Sequence, residues 1–101
     1  MSLLHTVNKS PFTHESLSDC LRYAQAGASI LLIEDGVYAA REGNQFTSRI
    51  KDALKDKKIY ALEPDLKARG MADQLIAGIT LVDYAGFVDL TTEASTVQSW
   101  L

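Results

Sequence analysis

The stretch Ala28-Ser29-Ile30-Leu31-Leu32-Ile33 decides the fold of this chain. Its residues are continuously apolar or small, whereas a strand with one solvated face alternates polar and apolar side chains. An unbroken apolar run of this length is typical of a strand that is covered on both faces in a parallel sheet. We therefore expect Ala28–Ile33 to be a central strand with helices on both sides.

Upstream of this run the pattern predicts one strand and one helix. Leu3–Val7 favours a strand that ends at the turn-forming segment Asn8–Pro11. Thr13 is a candidate N-cap for the following helix, and Gly27 stands where a helix-ending glycine is expected. The apolar positions of that helix recur at i, i+3, i+4 and i+7: Leu17, Cys20, Leu21 and Ala24.

Downstream the chain continues to alternate between helices and strands. The predicted elements are a short helical piece at Val37–Arg41, a helix whose apolar face carries Phe46, Ile50, Ala53 and Leu54, a strand at Lys58–Leu62, a helix beginning at Pro64 and closed by Gly70, and a strand at Ile79–Val82. Alternation of this kind gives parallel βαβ units with right-handed crossovers. The sequence therefore predicts an α/β fold, a single domain over residues 1–101 with an open parallel sheet of four to five strands flanked by helices.

The C-terminal region leaves two interpretations open. The spacing of Tyr84, Phe87, Val88 and Thr91 suits a helix, but a short strand at Phe87–Leu90 fits the same residues. Ser95 and Gln98 then have the spacing of a capping box. We expect them to start a last helical turn that carries Trp100.

Composition excludes several classes of function. With 101 residues, 10 basic and 13 acidic side chains and a net charge of -3, the chain lacks the basic surplus of a nucleic-acid binder. Its apolar runs are too short for a membrane span and its first residues do not form a signal peptide, so we expect a cytoplasmic protein. No glycine-rich phosphate loop follows a strand, and we expect no cofactor.

Cys20 is the only cysteine and the one strong candidate nucleophile. A single thiol forms neither an internal disulfide nor a thiolate metal cluster, so any sulfur chemistry must pair it with another molecule. Because Cys20 lies within the apolar stripe of its helix, a buried and inert thiol is the interpretation that the pattern favours.

The remaining polar and aromatic candidates have structural explanations. His5 and His14 lack a second metal ligand or a nucleophile at suitable spacing, so both are interpreted as structural and no metal site is predicted. Glu34 and Asp35 end the central strand, where Asp35 capping a helix before a Gly36 turn is favoured over paired acid–base catalysis. Two larger groups complete the set, a solvated basic cluster at Lys51, Lys55, Lys57 and Lys58 and an aromatic partner surface from Tyr38, Tyr84, Phe87 and Trp100.

Six segments of the chain carry a resemblance to a known family: Leu4–Pro11, Leu31–Ala40, Tyr60–Leu62, Asp65–Gly70, Val82–Tyr84 and the Phe87-Val88 pair. Together they resemble the DsrH/TusB family of sulfur-relay subunits. Their order, spacing and total length agree with the family nearly from end to end. The resemblance implies a DsrE-like domain with a flavodoxin-like three-layer arrangement.

The resemblance also implies a function and partners. Family members assemble with DsrE/TusD-like and DsrF/TusC-like subunits into a heterohexamer with two copies of each. These complexes pass persulfide sulfur between cysteines to a DsrC/TusE-like acceptor protein, with the principal accepting cysteine on the DsrE/TusD subunit. This chain would then be a non-principal subunit of a sulfurtransferase complex, with Cys20 as a candidate persulfide carrier.

The family serves two pathways, intracellular sulfur oxidation and 2-thiolation of the tRNA wobble uridine. Cys20 and the segment Asp83–Glu93 resemble the DsrH branch, so sulfur oxidation is the expectation and tRNA thiolation the alternative. A different class of function is a binding module for a small anion at the strand ends near Asn8, Gly36 and Asp83.

Overall fold

Five parallel strands form one sheet in the computed structural model of the chain, which describes residues 3–101. The strands are β1 (Leu3–Val7), β2 (Ser29–Leu32), β3 (Lys58–Leu62), β4 (Thr80–Val82) and β5 (Thr96–Trp100). They lie in the order β4-β3-β2-β1-β5, and every neighbouring pair is parallel. The open parallel sheet and its central, buried β2 confirm the predicted α/β fold.

Strand order determines which face of the sheet each helix covers. The helical elements are α1 (Ser16–Tyr23), a 3-10 helix (Glu34–Ala40), α2 (Thr47–Ala53), α3 (Glu63–Ala68) and α4 (Tyr84–Glu93). From β1 to β4 the sheet grows in one direction, so right-handed crossovers place the first four on one face. The connection from β4 to β5 runs back across the sheet, and the same handedness places α4 on the opposite face.

The main core lies on the face that carries α1 and α2. Strand register places Val7, Leu32 and Ala61 side by side on this face. They pack with the buried helical residues Leu17, Cys20, Val37, Ile50 and Leu66. The opposite face buries Leu4 and Leu31, yet none of the ten residues of α4 is itself buried. One face is therefore a complete core, whereas the other has only a thin cover.

The C-terminus differs from the predicted helical turn. The capping-box prediction for Ser95 and Gln98 is wrong, because Thr96–Trp100 is strand β5 and pairs in parallel with the whole of β1. An exposed edge of β1 offers backbone partners to a segment rich in β-favouring residues, and this pairing outweighs the local capping signal. The helix interpretation of Tyr84–Glu93 is confirmed.

Three predicted helix caps are also wrong. Helix α1 begins at Ser16 without a side-chain cap, and the Thr13 amide instead donates to the Ser10 carbonyl oxygen in a turn. The 3-10 helix likewise begins without a side-chain cap, because the Asp35 carboxylate is bonded to Arg69. Gly27 does not end α1 as predicted, because the C-cap of that helix is Ala24; Gly27 has a left-handed φ of 88° in the turn between α1 and β2.

No helix within residues 3–101 combines the length and the apolar character that crossing a membrane requires.

Gly36 is required where the 3-10 helix passes the end of β1. A Cβ atom at this position would lie 2.2 Å from the Val7 carbonyl oxygen. That oxygen accepts a hydrogen bond from the Ile33 amide at 3.0 Å, so it is held in place. The clash is with backbone, which cannot rotate away as a side chain can.

We expect Gly36→Ala to lower the free energy of unfolding by about 2–3 kcal/mol, because the backbone of β1 or of the 3-10 helix must shift. Urea denaturation measures the change. Gly43→Ala is the matched control, since its Cβ meets nothing within 4 Å and only its φ of 88° is strained, at about 1 kcal/mol. Equal losses in the two variants would contradict the close-approach explanation.

Candidate functional site

The Cys20 thiol is buried in the main core. It lies on the inner side of α1 with no exposed surface. Burial raises the pKa of this thiol to about 12, so it is protonated at neutral pH. Sulfur transfer needs an accessible thiolate. In this conformation Cys20 is a packing residue, and its role as a persulfide carrier stays a prediction that requires α1 to move.

The acidic segment after β2 belongs to a small polar cluster built on one ion pair and one carboxylate–amide hydrogen bond. The Asp35 carboxylate accepts hydrogen bonds from Arg69 Nε at 3.1 Å and Nη2 at 2.9 Å. The Asp65 carboxylate accepts from the Glu34 amide at 2.6 Å, which holds Glu34 at a left-handed φ of 49°. The hydrogen bonds that Arg69 donates to the Asp35 carboxylate raise the pKa of the Arg69 guanidinium above its usual value. The cluster joins the ends of β2 and β3 and leaves Asp35 paired, unlike the free carboxylate pair of an acid–base site.

The three residues of the anion-site hypothesis are not brought together. Gly36 lies beside Asn8, but Asp83 follows β4, three strands away. At a spacing of ~4.8 Å per strand that separation is about 14 Å. The Asp83 carboxylate accepts from the Gly86 amide at 2.8 Å and caps α4. The geometry therefore gives this hypothesis no support.

The predicted basic cluster is an ion-paired surface. Lys51 bonds to Glu42 at 3.1 Å, Lys55 to Asp52 at 3.3 Å and Lys57 to Asp56 at 2.8 Å. Lys51, Lys55 and Lys58 are exposed, as a solvated face requires, whereas the Lys57 side chain is only 12% exposed.

The four aromatic residues do not form a single surface. Tyr38 packs against the core beneath Arg69, whereas Tyr84 is 59% exposed at the start of α4 with the partly buried Phe87 one turn later. Trp100 lies on the other side of the molecule, against His5 on β1. The expectation of one aromatic partner surface is wrong, because β5 carries Trp100 to the edge opposite β4.

His5 and Trp100 form a site that the sequence reasoning missed. The Trp100 Nε1–H donates to His5 Nδ1 at 2.9 Å, and the Tyr23 ring stacks on Trp100 with centroids 5.9 Å apart. Because an indole only donates, Nδ1 must be the acceptor and the neutral imidazole carries its proton on Nε2. His5 is 2% exposed, and its Nε2 has no hydrogen-bond partner among the described residues.

A cavity of about 720 Å³ adjoins this pair. Its walls include Leu3, Tyr23, Ala28 and Gln98 together with His5 and Trp100. The only signal in the sequence was the β-favouring composition of Thr96–Trp100, which the capping-box spacing obscured.

The sheet order and helix placement define the class of protein as a small α/β protein with a five-stranded parallel sheet. The same fold is found in the crystal structure of YchN from Escherichia coli, with a TM-score of 0.85, 18% identity and 98% of both chains covered. Protein MTH1491 of Methanobacterium thermoautotrophicum has a TM-score of 0.73 at 17% identity over 96% of both chains. The solution structure of Tm0979 from Thermotoga maritima has a TM-score of 0.60 at 30% identity, over 91% of this chain and 92% of Tm0979.

Sequence comparison gives the family. Residues 9–97 match the model of the DsrH family, described as DsrH-like protein. Protein TusB of Shigella flexneri and protein TusB of Escherichia coli K12 are each 38% identical over 98 residues, which is 97% of this chain and all of each relative. The chain belongs to the DsrH family, and the resemblance to DsrH/TusB proteins is confirmed.

The burial of Cys20 predicts slow alkylation. At pH 8 an ordinary thiol of pKa ~8.5 is about one quarter thiolate, whereas a pKa of about 12 leaves almost none in the folded chain. We expect iodoacetamide to react on the order of a thousandfold more slowly with the native chain than with the chain unfolded in urea. Intact-mass analysis measures both rates, and comparable rates would show that Cys20 is accessible.

His5 predicts a loss of stability in weak acid. Burial lowers the pKa of this imidazole below its usual 6.5, so between these values the unfolded chain binds a proton that the folded chain excludes. Stability from His5 is therefore present above pH 6.5 and is lost as the pH falls from there through the folded pKa. Protonation would also make Nδ1 a donor and break its bond to Trp100.

Urea denaturation at pH 7.5, 6.5 and 5.5 (about one pH unit on either side of the ordinary His pKa) measures this loss. The variant His5→Phe should remove most of the pH dependence. His14→Gln is the matched control, because it removes the other histidine of the chain, which is exposed. If the pH dependence of the free energy of unfolding disappeared in His14→Gln and not in His5→Phe, its assignment to His5 would be wrong.

Proposed function

We propose that this chain is a TusB-type subunit of a cytoplasmic sulfur-relay assembly. Its siblings would be DsrE/TusD-like and DsrF/TusC-like subunits, two copies of each, and sulfur would pass to a DsrC/TusE-like carrier. The observation that carries the proposal is 38% identity to protein TusB across the whole of that protein. The end product would be 2-thiolation of the tRNA wobble uridine.

The chemistry assigns this subunit a supporting role. In the transfer step the thiolate of one cysteine attacks the outer sulfur of a persulfide, a new sulfur–sulfur bond forms, and the old bond breaks to release the donor thiolate. The step is balanced without an added electron donor or acceptor. Because Cys20 is buried and protonated, the accepting cysteine is assigned to the DsrE/TusD-like sibling, and this chain contributes to assembly.

Sulfur oxidation is the second candidate. The DsrH-like character of the segment Asp83–Glu93 and the match to the DsrH family model favour it. Cys20, the other residue that pointed to that branch, lies where it packs the core, so it no longer separates the two pathways.

Deletion of the gene in its source organism tests the proposal. We expect nucleoside mass spectrometry of total tRNA to show loss of the 2-thio group from the wobble uridine. Re-expression of the wild type and of Cys20→Ala should both restore it, because the thiol is expected to pack rather than to react. Intact thiolation with impaired oxidation of reduced sulfur would instead support the second candidate, and no effect on either would reject a relay function.

Loading the purified assembly with persulfide sulfur tests whether Cys20 itself carries sulfur, separately from whether the assembly does. After treatment with a persulfide donor, intact-mass analysis should show one added sulfur on the DsrE/TusD-like sibling and none on this chain. A gain on this chain that Cys20→Ala abolishes would restore Cys20 as a carrier.

A further inference from the structure

The cavity beside His5 and Trp100 opens next to the free edge of β5. Within residues 3–101 the strand is the last in the sheet and pairs only with β1. Register places Gln98 beside His5 and Trp100 beside Val7, so both β5 side chains project onto the face that holds the cavity. The backbone edge and the cavity therefore lie on one side of the molecule.

This edge lacks the usual protection against strand addition. Exposed edges are normally shortened, or blocked by lysine, proline or a bulge. The other edge strand, β4, has only three residues. In contrast β5 has five, and the segment Thr96–Leu101 contains no charged residue and no proline. Its outward N–H and C=O groups are complementary to another extended backbone.

Besides the backbone edge, a specific site for a strand needs a pocket for a side chain, and the cavity supplies it. One wall is aromatic, formed by Tyr23 and Trp100, and the described residues that line the cavity include no Asp, Glu, Lys or Arg. The buried Nε2–H of His5 has no partner among residues 3–101 that the structure describes. A buried donor without an acceptor is unfavourable, so a ligand that brings an acceptor would gain from it.

We propose that β5 and this cavity bind an extended, uncharged segment of another polypeptide. The segment adds a strand to the edge of β5 and places one apolar or aromatic side chain in the cavity against Trp100. Strand addition of this kind takes affinity from main-chain hydrogen bonds and specificity from alternate side chains in pockets. A small shift of the His5 ring then lets Nε2–H donate to a carbonyl oxygen of the segment.

A second copy of this chain does not complete the site. Pairing two β5 strands about a two-fold axis brings the β5 side chains of each copy alongside those of the other. The large side chain of β5, Trp100, already donates a hydrogen bond to His5 and stacks on Tyr23 of the same copy. The cavity would stay empty, whereas a foreign segment fills it. The absence of positive charge from the lining likewise disfavours phosphate-bearing ligands.

Selection from a phage-displayed library of linear peptides tests the proposal on the intact chain. We expect enriched sequences to alternate, with uncharged residues and a recurrent apolar side chain at every second position. Trp100 is the only tryptophan, so its fluorescence reports binding of a synthetic copy of an enriched peptide. Methylation of the peptide's backbone nitrogens should weaken binding at least about tenfold, because pairing with β5 is lost.

Two single substitutions on β5 separate the cavity from the rest of the strand. Gln98→Glu places a charge in the cavity, and we expect it to weaken binding at least about tenfold. Val97→Glu is the matched control, because Val97 pairs with Leu4 on the opposite face and is 43% exposed. Its effect should stay below about threefold, as for an exposed charge.

Four results would overturn the proposal. They are no enrichment above the uncoated support, equal weakening by the two substitutions, unchanged affinity after N-methylation, and self-association in sedimentation that Gln98→Glu disrupts. The proposed function survives each of them, since wobble-uridine thiolation is measured separately.

Discussion

The right-handed connection between parallel strands is the constraint on which the rest of this structure depends. Four strands added in one direction place the first four helical elements on a single face, and that face becomes the complete core. The reversal from β4 to β5 sends α4 to the other face as its only cover. The same reversal places β5 beside β1 with its outer edge free. The complete core on one face of the sheet, the thin cover on the other face and the open edge of β5 therefore all follow from the same strand order.

The local sequence pattern was sufficient to predict the elements that the fold buries. The apolar run of β2, the stripe of α1 that contains Cys20 and the alternation that predicts a parallel sheet were all visible in the sequence. Their burial follows from hydrophobic periodicity, which is a property of neighbouring residues. The burial of Cys20 was predictable for the same reason, because Cys20 lies in the apolar stripe of α1.

The features that the sequence did not reveal depend on residues far apart in the chain. Asp35 was expected to cap a helix but bonds to Arg69, 34 residues away. Trp100 was expected in a helical turn but donates to His5, 95 residues away. In both cases a partner supplied by the fold outweighed a cap worth about 1 kcal/mol. Spacing alone cannot predict such pairs, because nothing local distinguishes a capping carboxylate from a paired one.

The position of the thiol and the position of the cavity together shape what this protein can do. A chain whose single cysteine is packed under α1 presents no thiolate at its surface in this conformation, and burying that thiol gains packing at the expense of reactivity. The cavity, by contrast, adjoins the buried Nε2–H of His5, which has no acceptor among residues 3–101, and it lies beside the outer edge of β5. Burial thus limits the reactivity of the sulfur, and the buried donor of His5, which has no acceptor within the described part of the chain, lies beside a strand edge suited to pairing with another polypeptide.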